Sequence, residues 1–130
     1  MAIRVSWANA ERDILLWTIE GTWNWEDIQL ADATAELLYK RAEQTVFSIW
    51  DFSKADDVPR DVVLYLPQLS QMLRDYPQTA SPKVAVVPAA RPLLLRLIRM
   101  LGTRSGGVEV VTVLGDAQDL IKRARVALPA

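Results

Sequence analysis

The sequence predicts a single α/β domain with a mostly parallel five-stranded sheet flanked by four helices. The main observation is the order of its apolar patterns, β-β-α-β-α-β-α-β-α. After two N-terminal strands, β-rich runs alternate with amphipathic stretches, which is typical of parallel strands joined by right-handed crossovers. The length of 130 residues, with 51% hydrophobic and 24% charged residues, fits one globular domain over residues 1–130.

The first two strands are expected at 3–9 and 13–23, where β-branched and aromatic residues are concentrated. The polar segment AERD between them predicts a hairpin, so the N-terminal strand should be antiparallel to its neighbour. The second strand begins with apolar residues on both faces, which favours a central position in the sheet. Trp17 on this strand and Trp50 on the next are expected in the core.

Asn24 predicts the start of the first helix, because its side chain can accept a hydrogen bond from a free backbone N–H group. Glu26 and Asp27 follow in the first turn, where the helix dipole favours acidic residues. The helix is expected to end near Ala42. The stripe that faces the sheet should consist of Ile28, Ala31, Ala35, Leu38 and Ala42.

The same patterns predict the remaining elements. Strands are expected at 45–53, 82–89 and 108–114, and helices at 58–76, 91–101 and 116–128. Pro59 suits the opening turn of the second helix. Pro67 lies inside that helix, so it is expected to kink the helix or split it in two.

The absence of Cys and His restricts the chemistry available to this chain. A thiolate nucleophile, a disulfide and a cysteine-ligated metal are impossible, and a Ser–His catalytic pair is excluded. No nucleophile–base set stands out among the remaining residues. We therefore expect no enzymatic activity and no cofactor.

The charge and the hydropathy of the chain restrict the kinds of partner it can bind. The net charge of −1 supplies no global basic field, so no nucleic acid is expected as a partner. The start of the chain lacks the apolar core of a signal peptide. The longest apolar region, residues 91–102, is interrupted by Arg96 and Arg99 and is too short to span a bilayer. We expect a cytoplasmic protein without stable membrane anchoring.

Four segments carry a family resemblance: WTIEGTW before the first helix, IWDFS in the third strand, YPQTASPKVAVV and VTVLGDAQDLIKRA. With the element order, they resemble the STAS superfamily over nearly the whole chain. Within it they are similar to the divergent SpoIIAA-like branch, which also resembles lipid-carrier (Sec14-type) domains. The resemblance implies a non-catalytic regulatory or protein-interaction module with a protein partner.

In STAS antagonists a phosphorylatable Ser beside a Gly lies at the helix start after the third strand, and its phosphate controls partner binding. In this chain Arg60 and Asp61 occupy that approximate place, and Ser53 lies at the end of the strand instead. The usual phosphoacceptor is therefore missing. We expect a partner to contact this segment through Ser53, Asp56, Asp57, Arg60 and Asp61.

The acidic residues of this segment also permit other interpretations. Asp51, Asp56 and Asp57 carry the oxygen ligands that hard divalent cations prefer. A phosphorylated receiver domain would also need a Lys at the end of a later strand, whereas Lys83 begins its strand. We favour helix capping by Asp57 and a solvated Asp56, and we expect no metal.

The first helix has a second apolar side, formed by Leu30, Ala33 and Leu37. Burying a leucine is worth about 1.5–3 kcal/mol, so leaving both leucines exposed is unfavourable unless another surface covers them. We expect a homodimer through this side. Two scattered surface leucines are the alternative.

The helix at 91–101 is basic on one side. Arg91, Arg96 and Arg99 share this side with Leu95, which is expected to point outward, away from an apolar stripe that includes Leu93. An alternative function follows: a small carrier or sensor of an apolar or anionic lipid-like ligand, with these residues near its head group. A solvated amphipathic helix is the simpler interpretation.

Overall fold

The computed structural model describes residues 2–76, 79–104 and 108–127. The five strands are β1 (Ile3–Trp7), β2 (Ile14–Gly21), β3 (Val46–Ala55), β4 (Thr79–Val86) and β5 (Val108–Val111). The helices are α1 (Trp25–Arg41), α2 (Arg60–Leu64), α3 (Leu66–Asp75), α4 (Pro92–Arg104) and α5 (Leu114–Ala127). The predicted α/β class and order of elements are confirmed, but the part of the chain described has five helices rather than four.

The additional helix arises because the predicted second helix is interrupted at Tyr65. This residue has φ −106° and ψ 24°, outside the helical region, and Pro67 lies in the first turn of α3. Proline lacks a backbone N–H and its ring clashes with the preceding turn, so an unbroken helix cannot pass through this position. The predicted split at Pro67 is confirmed.

The strands lie in the order β1-β2-β3-β4-β5. β1 is antiparallel to β2, which confirms the hairpin, and all other neighbours are parallel. Successive crossovers in one direction and of one hand place their helices on the same face of the sheet. Accordingly, α1 to α4 cover one face, whereas α5 follows the last strand and covers the other.

Two apolar cores lie on opposite faces of the sheet because side chains alternate along each strand. The larger core, beneath α1 to α4, includes Trp17 at 2% exposure and Trp50 at 8%, as predicted. The smaller core lies beneath α5 and includes Ile14, Phe47, Ile49, Val84, Val86, Ala117 and Ile121. β2 and β3 contribute to both cores, which is why their sequences are apolar on both faces.

One helix end is set by neighbouring residues and another by tertiary packing. The side chain of Asn24 accepts from the N–H of Asp27, and the Asp27 carboxylate accepts from the N–H of Asn24, so the predicted N-cap is confirmed. By contrast, α4 ends at Arg104, although the sequence predicts its end at Leu101, before Gly102. A side chain there would lie 3.3 Å from the backbone nitrogen of Val108, so glycine permits α4 to pack closely on β5.

Candidate functional site

The candidate site lies at the carboxyl end of β3, where segment 53–61 leads into α2. Asp51 accepts a hydrogen bond from the backbone N–H of Ser53 at 2.9 Å, and the Ser53 side chain lies in an exposed part of β3. Arg91 donates from Nε to the carbonyl of Ala55 at 2.9 Å. This bond brings the start of α4 against the segment.

Asp57 caps a helix, but not the helix that follows it. Its Oδ1 accepts from the N–H of Val58 at 2.9 Å and from the N–H of Leu94, in the first turn of α4, at 2.8 Å. The N-cap of α2 is Pro59, which has no side chain that can accept a hydrogen bond. The expectation that Asp57 caps its own following helix is therefore wrong, because a tertiary contact brings the start of α4 within its reach.

Asp61 and Asp56 also have partners inside the domain. Asp61 Oδ2 accepts from the backbone N–H of Trp25, the first residue of α1, at 3.0 Å. Its Oδ1 is buried and has no hydrogen-bond partner among the described residues. Asp56 accepts from the Thr22 hydroxyl at 2.9 Å, and its carbonyl accepts from Trp23 Nε1 at 3.0 Å. Asp56 and Asp61 thus connect segment 53–61 to the end of β2 and the start of α1, whereas Asp57 connects it to α4.

The side chains of the five predicted contact residues consequently differ in accessibility. Ser53, Asp56 and Arg60 are exposed, whereas Asp57 and Asp61 are half-buried by their contacts with helix starts. Only the exposed members present most of their surface to a partner. Arg60 begins α2 and carries an exposed positive charge.

Replacing Asp57 with alanine is expected to lower the free energy of unfolding by about 1–3 kcal/mol, because the N–H groups of Val58 and Leu94 lose their acceptor. Asp56→Ala is the matched control, and it should cost about 1 kcal/mol or less because Asp56 is exposed. Urea unfolding measures both values. Equal losses in the two variants would contradict the capping role of Asp57.

An exposed apolar patch adjoins this segment. It consists of Val63, Leu64 and Tyr65, which we call the α2 patch; their exposed fractions are 49%, 77% and 40%. The Tyr65 ring stacks on Trp25 with centroids 5.1 Å apart and an interplanar angle of 10°. The sequence predicts the helix over 58–76 and its break at Pro67 but gives no separate signal for this patch, because the exposure of these side chains depends on how the short helix α2 packs.

The outer side of α1 is as apolar as its sequence indicates. Leu30 and Leu37 are 55% and 53% exposed, and Ala33 between them is also exposed. Ile28, Ala31, Ala35 and Tyr39 are buried on the opposite side. The structure thus places the predicted self-association residues together on one surface.

The exposed leucine of α4 is not the one expected. Leu93 is 56% exposed, whereas Leu95 is half-buried and packs against the larger core. The buried side of α4, centred on Leu94, Leu97, Ile98 and Leu101, excludes Leu93 and has Leu95 at its border. The prediction of an outward Leu95 and a sheet-facing Leu93 is therefore wrong.

The three arginines of α4 do not form one surface either. Arg91 precedes the helix, is half-buried and donates to the Ala55 carbonyl. Arg96 and Arg99 are exposed. Arg91 thus serves a structural contact, and the two remaining arginines form a small basic surface.

Buried polar groups lie beneath α1 and α3. The hydroxyls of Tyr39 and Ser48 are 2.6 Å apart, and burial raises the pKa of Tyr39. Burial, and then its hydrogen bond to Asp32, raise the pKa of Tyr76. The hydroxyls of Tyr39 and Tyr76 each have a hydrogen-bond partner inside the domain. These bonds connect α1 to β3 and to the residue after α3.

Lys83 is a buried lysine on the face of the sheet that carries the larger core. Its Nζ donates to the carbonyl of Leu73 at 3.0 Å, and burial lowers the pKa of its ammonium group. Leu73 lies near the end of α3, where helix carbonyls lack partners within the helix. The contact therefore satisfies a free carbonyl of α3.

A small cavity lies within the larger core. Its volume is about 60 Å³, and its lining includes Trp17, Trp50, Phe52, Met72 and Ala85. A cavity of roughly 150 Å³ holds one benzene molecule, so this one is too small for a lipid chain in the conformation described.

The described residues contain neither a cluster of metal-ligating side chains nor a membrane-spanning helix. No three or more carboxylates within these residues lie close enough together to hold a metal ion, so Asp51, Asp56 and Asp57 do not form such a group. No helix over the same ranges has the length and apolar character needed to cross a bilayer.

Comparisons with known proteins support the fold. No family model matches the chain, and no curated protein matches it. The chain is similar to a solved structure of the anti-sigma factor antagonist SpoIIAA in its unphosphorylated form. The TM-score is 0.61 at 11% sequence identity, over 93% of this chain and 96% of that chain. At this identity the likeness shows the fold alone: this chain has the same α/β fold as SpoIIAA.

Proposed function

We propose that this domain is a non-catalytic regulatory module that binds a protein partner through the α2 patch beside segment 53–61. The observation that carries the proposal is the exposure of Leu64, at 77%, between two other exposed apolar residues. Fully burying a leucine is worth about 1.5–3 kcal/mol, which a partner surface would supply. The likeness to an anti-sigma factor antagonist supports a role in protein interaction.

The patch is held in place by the rest of the domain. Val62, next to Val63, is fully buried, and Asp61 and Tyr65 connect α2 to Trp25 at the start of α1. A preorganised surface loses little conformational entropy on binding. Exposed Arg60, Ser53 and Asp56 would supply polar contacts around the apolar centre, while Asp57 and Asp61 would act by holding the segment in shape.

We further propose that phosphorylation at the start of α2 does not control this contact. Arg60 and Asp61 stand in that place, and the Asp61 carboxylate accepts from the Trp25 N–H. A carboxylate near a helix start provides a permanent negative charge, so no phosphate is needed to bring charge there. In the cell we expect a cytoplasmic homodimer that uses Leu30, Ala33 and Leu37 for self-association.

Leu64→Asp tests the partner surface. The immobilised wild-type domain is incubated with an extract of its native host, in parallel with Leu64→Asp and with Val126→Asp as control. Val126 is 85% exposed and lies on α5, on the other face of the sheet. We expect at least one protein to be retained by the wild type and the control and to be lost with Leu64→Asp, while circular dichroism shows all three folded. An identical set of retained proteins would reject the α2 patch.

The small apolar cavity favours a second candidate function, the binding of an apolar or lipid-like ligand. All of its lining side chains are apolar, but they include the inner residues of α4, whereas Arg96 and Arg99 lie on the exposed side. A lipid chain would require α3 or α4 to move away from the sheet. A small molecule that stays bound in native mass spectrometry and leaves on denaturation would favour this candidate.

A further inference from the structure

Five exposed residues of α1 form a regular line, which we call the outer stripe: Glu26, Leu30, Ala33, Leu37 and Lys40. Successive members alternate between four and three residues apart, which is the spacing of the contact positions in paired helices. The two leucines flank Ala33, whose small side chain allows another helix to approach closely at the middle of the stripe.

The charges of α1 are arranged so that the helix complements its own reversed copy. Glu26 and Asp27 lie in its first turn, and Lys40 and Arg41 lie in its last turn. Parallel docking of two copies would bring like charges together at both ends, whereas antiparallel docking brings acidic and basic ends together. In the isolated chain Lys40 contacts Glu36 at 2.8 Å on the exposed surface, so its ammonium group is accessible to a second acid.

The neighbouring sheet edge is unsuited to the same partner. β1 lies at one edge of the sheet, and α1 packs on it. Pairing β1 of two copies would separate the strands by about 4.8 Å, and would bring the two α1 helices closer than the 8–10 Å that packed helices need. A second copy therefore fits the outer stripe better than the β1 edge.

We infer that a second copy of this chain docks its outer stripe antiparallel on the first, with Ala33 of both copies at the crossing point. Glu26 of each copy faces Lys40 of the other, and Leu30 of each packs near Leu37 of the other. The inference rests on the proposed homodimer and adds its orientation and the residues that specify it.

Charge reversal tests the orientation by sedimentation equilibrium. Glu26→Lys and Lys40→Glu should each weaken the dimer about tenfold, because each change places like charges together at both ends of the helix pair. The double variant should restore wild-type affinity. The double variant also places a basic residue in the first turn of α1 and an acidic residue in the last turn, and the helix dipole disfavours both. A restored dimer affinity therefore cannot come from a more stable α1. Asp119→Lys on α5, an equivalent charge change at an exposed position, is the control.

The outcomes separate this inference from the proposals on which it depends. If both single variants dimerise like the wild type, or if the double variant is weaker than either, antiparallel docking is overturned while the homodimer stands. If the wild type is a monomer at all concentrations, both the orientation and the homodimer are overturned. Neither result affects the test of Leu64.

The absence of Cys from the sequence allows a second measurement. Ala33→Cys should form a disulfide-linked dimer under mild oxidation, because the two copies of residue 33 meet at the crossing point. Val126→Cys, on the opposite face of the sheet, should stay monomeric on a non-reducing gel. Equal cross-linking of the two variants would contradict the proposed crossing point.

Discussion

Replacing Trp17 with alanine is expected to lower the free energy of unfolding by about 3–5 kcal/mol, the largest effect of any change considered for this domain. Trp17 is 2% exposed. Its ring contacts Trp50 and Tyr76 at centroid distances of 5.7 and 5.9 Å, and its Nε1 donates to the Tyr39 hydroxyl at 3.5 Å. The substitution removes all three contacts.

The size of the expected loss follows from the site. Trp17 lines the cavity of about 60 Å³, so deleting its ring would enlarge this cavity. The cost of a core truncation rises with the volume of the cavity that it leaves. Small domains are stable by only about 5–15 kcal/mol, so this loss would remove a large fraction of the free energy of unfolding. Trp17→Phe keeps an aromatic ring and should lose less.

Urea unfolding followed by far-ultraviolet circular dichroism measures these losses without depending on tryptophan fluorescence. Trp25→Ala is the matched control, since Trp25 is half-buried and contacts Tyr65 at the surface. A loss for Trp17→Ala no larger than that for Trp25→Ala would contradict the central position of Trp17 in the core.

The double change Leu30→Asp and Leu37→Asp is expected to convert the proposed homodimer to monomers, with affinity weakened at least about a hundredfold. Two apolar side chains per copy are replaced by carboxylates that would have to be buried without a partner. A hundredfold loss of affinity corresponds to about 2.8 kcal/mol. This is less than the free energy gained by burying four leucines, at about 1.5–3 kcal/mol each.

The fold should be little affected, because both leucines are more than half exposed in the single chain. Exposed substitutions usually change stability by about 0.5 kcal/mol or less. Leu93→Asp on α4 is the matched control, with 56% exposure against 55% for Leu30. Native mass spectrometry and thermal unfolding together report assembly and stability. An unchanged oligomeric state in the double variant would show that this side of α1 is not an interface.

The sequence by itself determined the features that depend on neighbouring residues. The alternation of strands with amphipathic helices predicted the α/β class, Asn24 predicted the start of α1, and Pro67 predicted the break between α2 and α3. The apolar spacing of α1 also predicted that Ile28, Ala31 and Ala35 are buried and that Leu30 and Leu37 are exposed, but it missed the buried Tyr39 and placed the half-buried Leu38 and Ala42 in the buried stripe. Each of these depends on backbone geometry within a few residues, so a local pattern is sufficient.

Only the tertiary structure decided the strand order and the partners of the acidic residues in the candidate site. Asp57 binds the N–H of Leu94, 37 residues away, and Asp61 binds the N–H of Trp25, 36 residues away. It also decided that Leu93 rather than Leu95 is exposed, because the packing of α4 on the sheet fixed the rotation of the helix. A carboxylate can cap any helix start that the fold brings near, so local sequence cannot specify which one it binds.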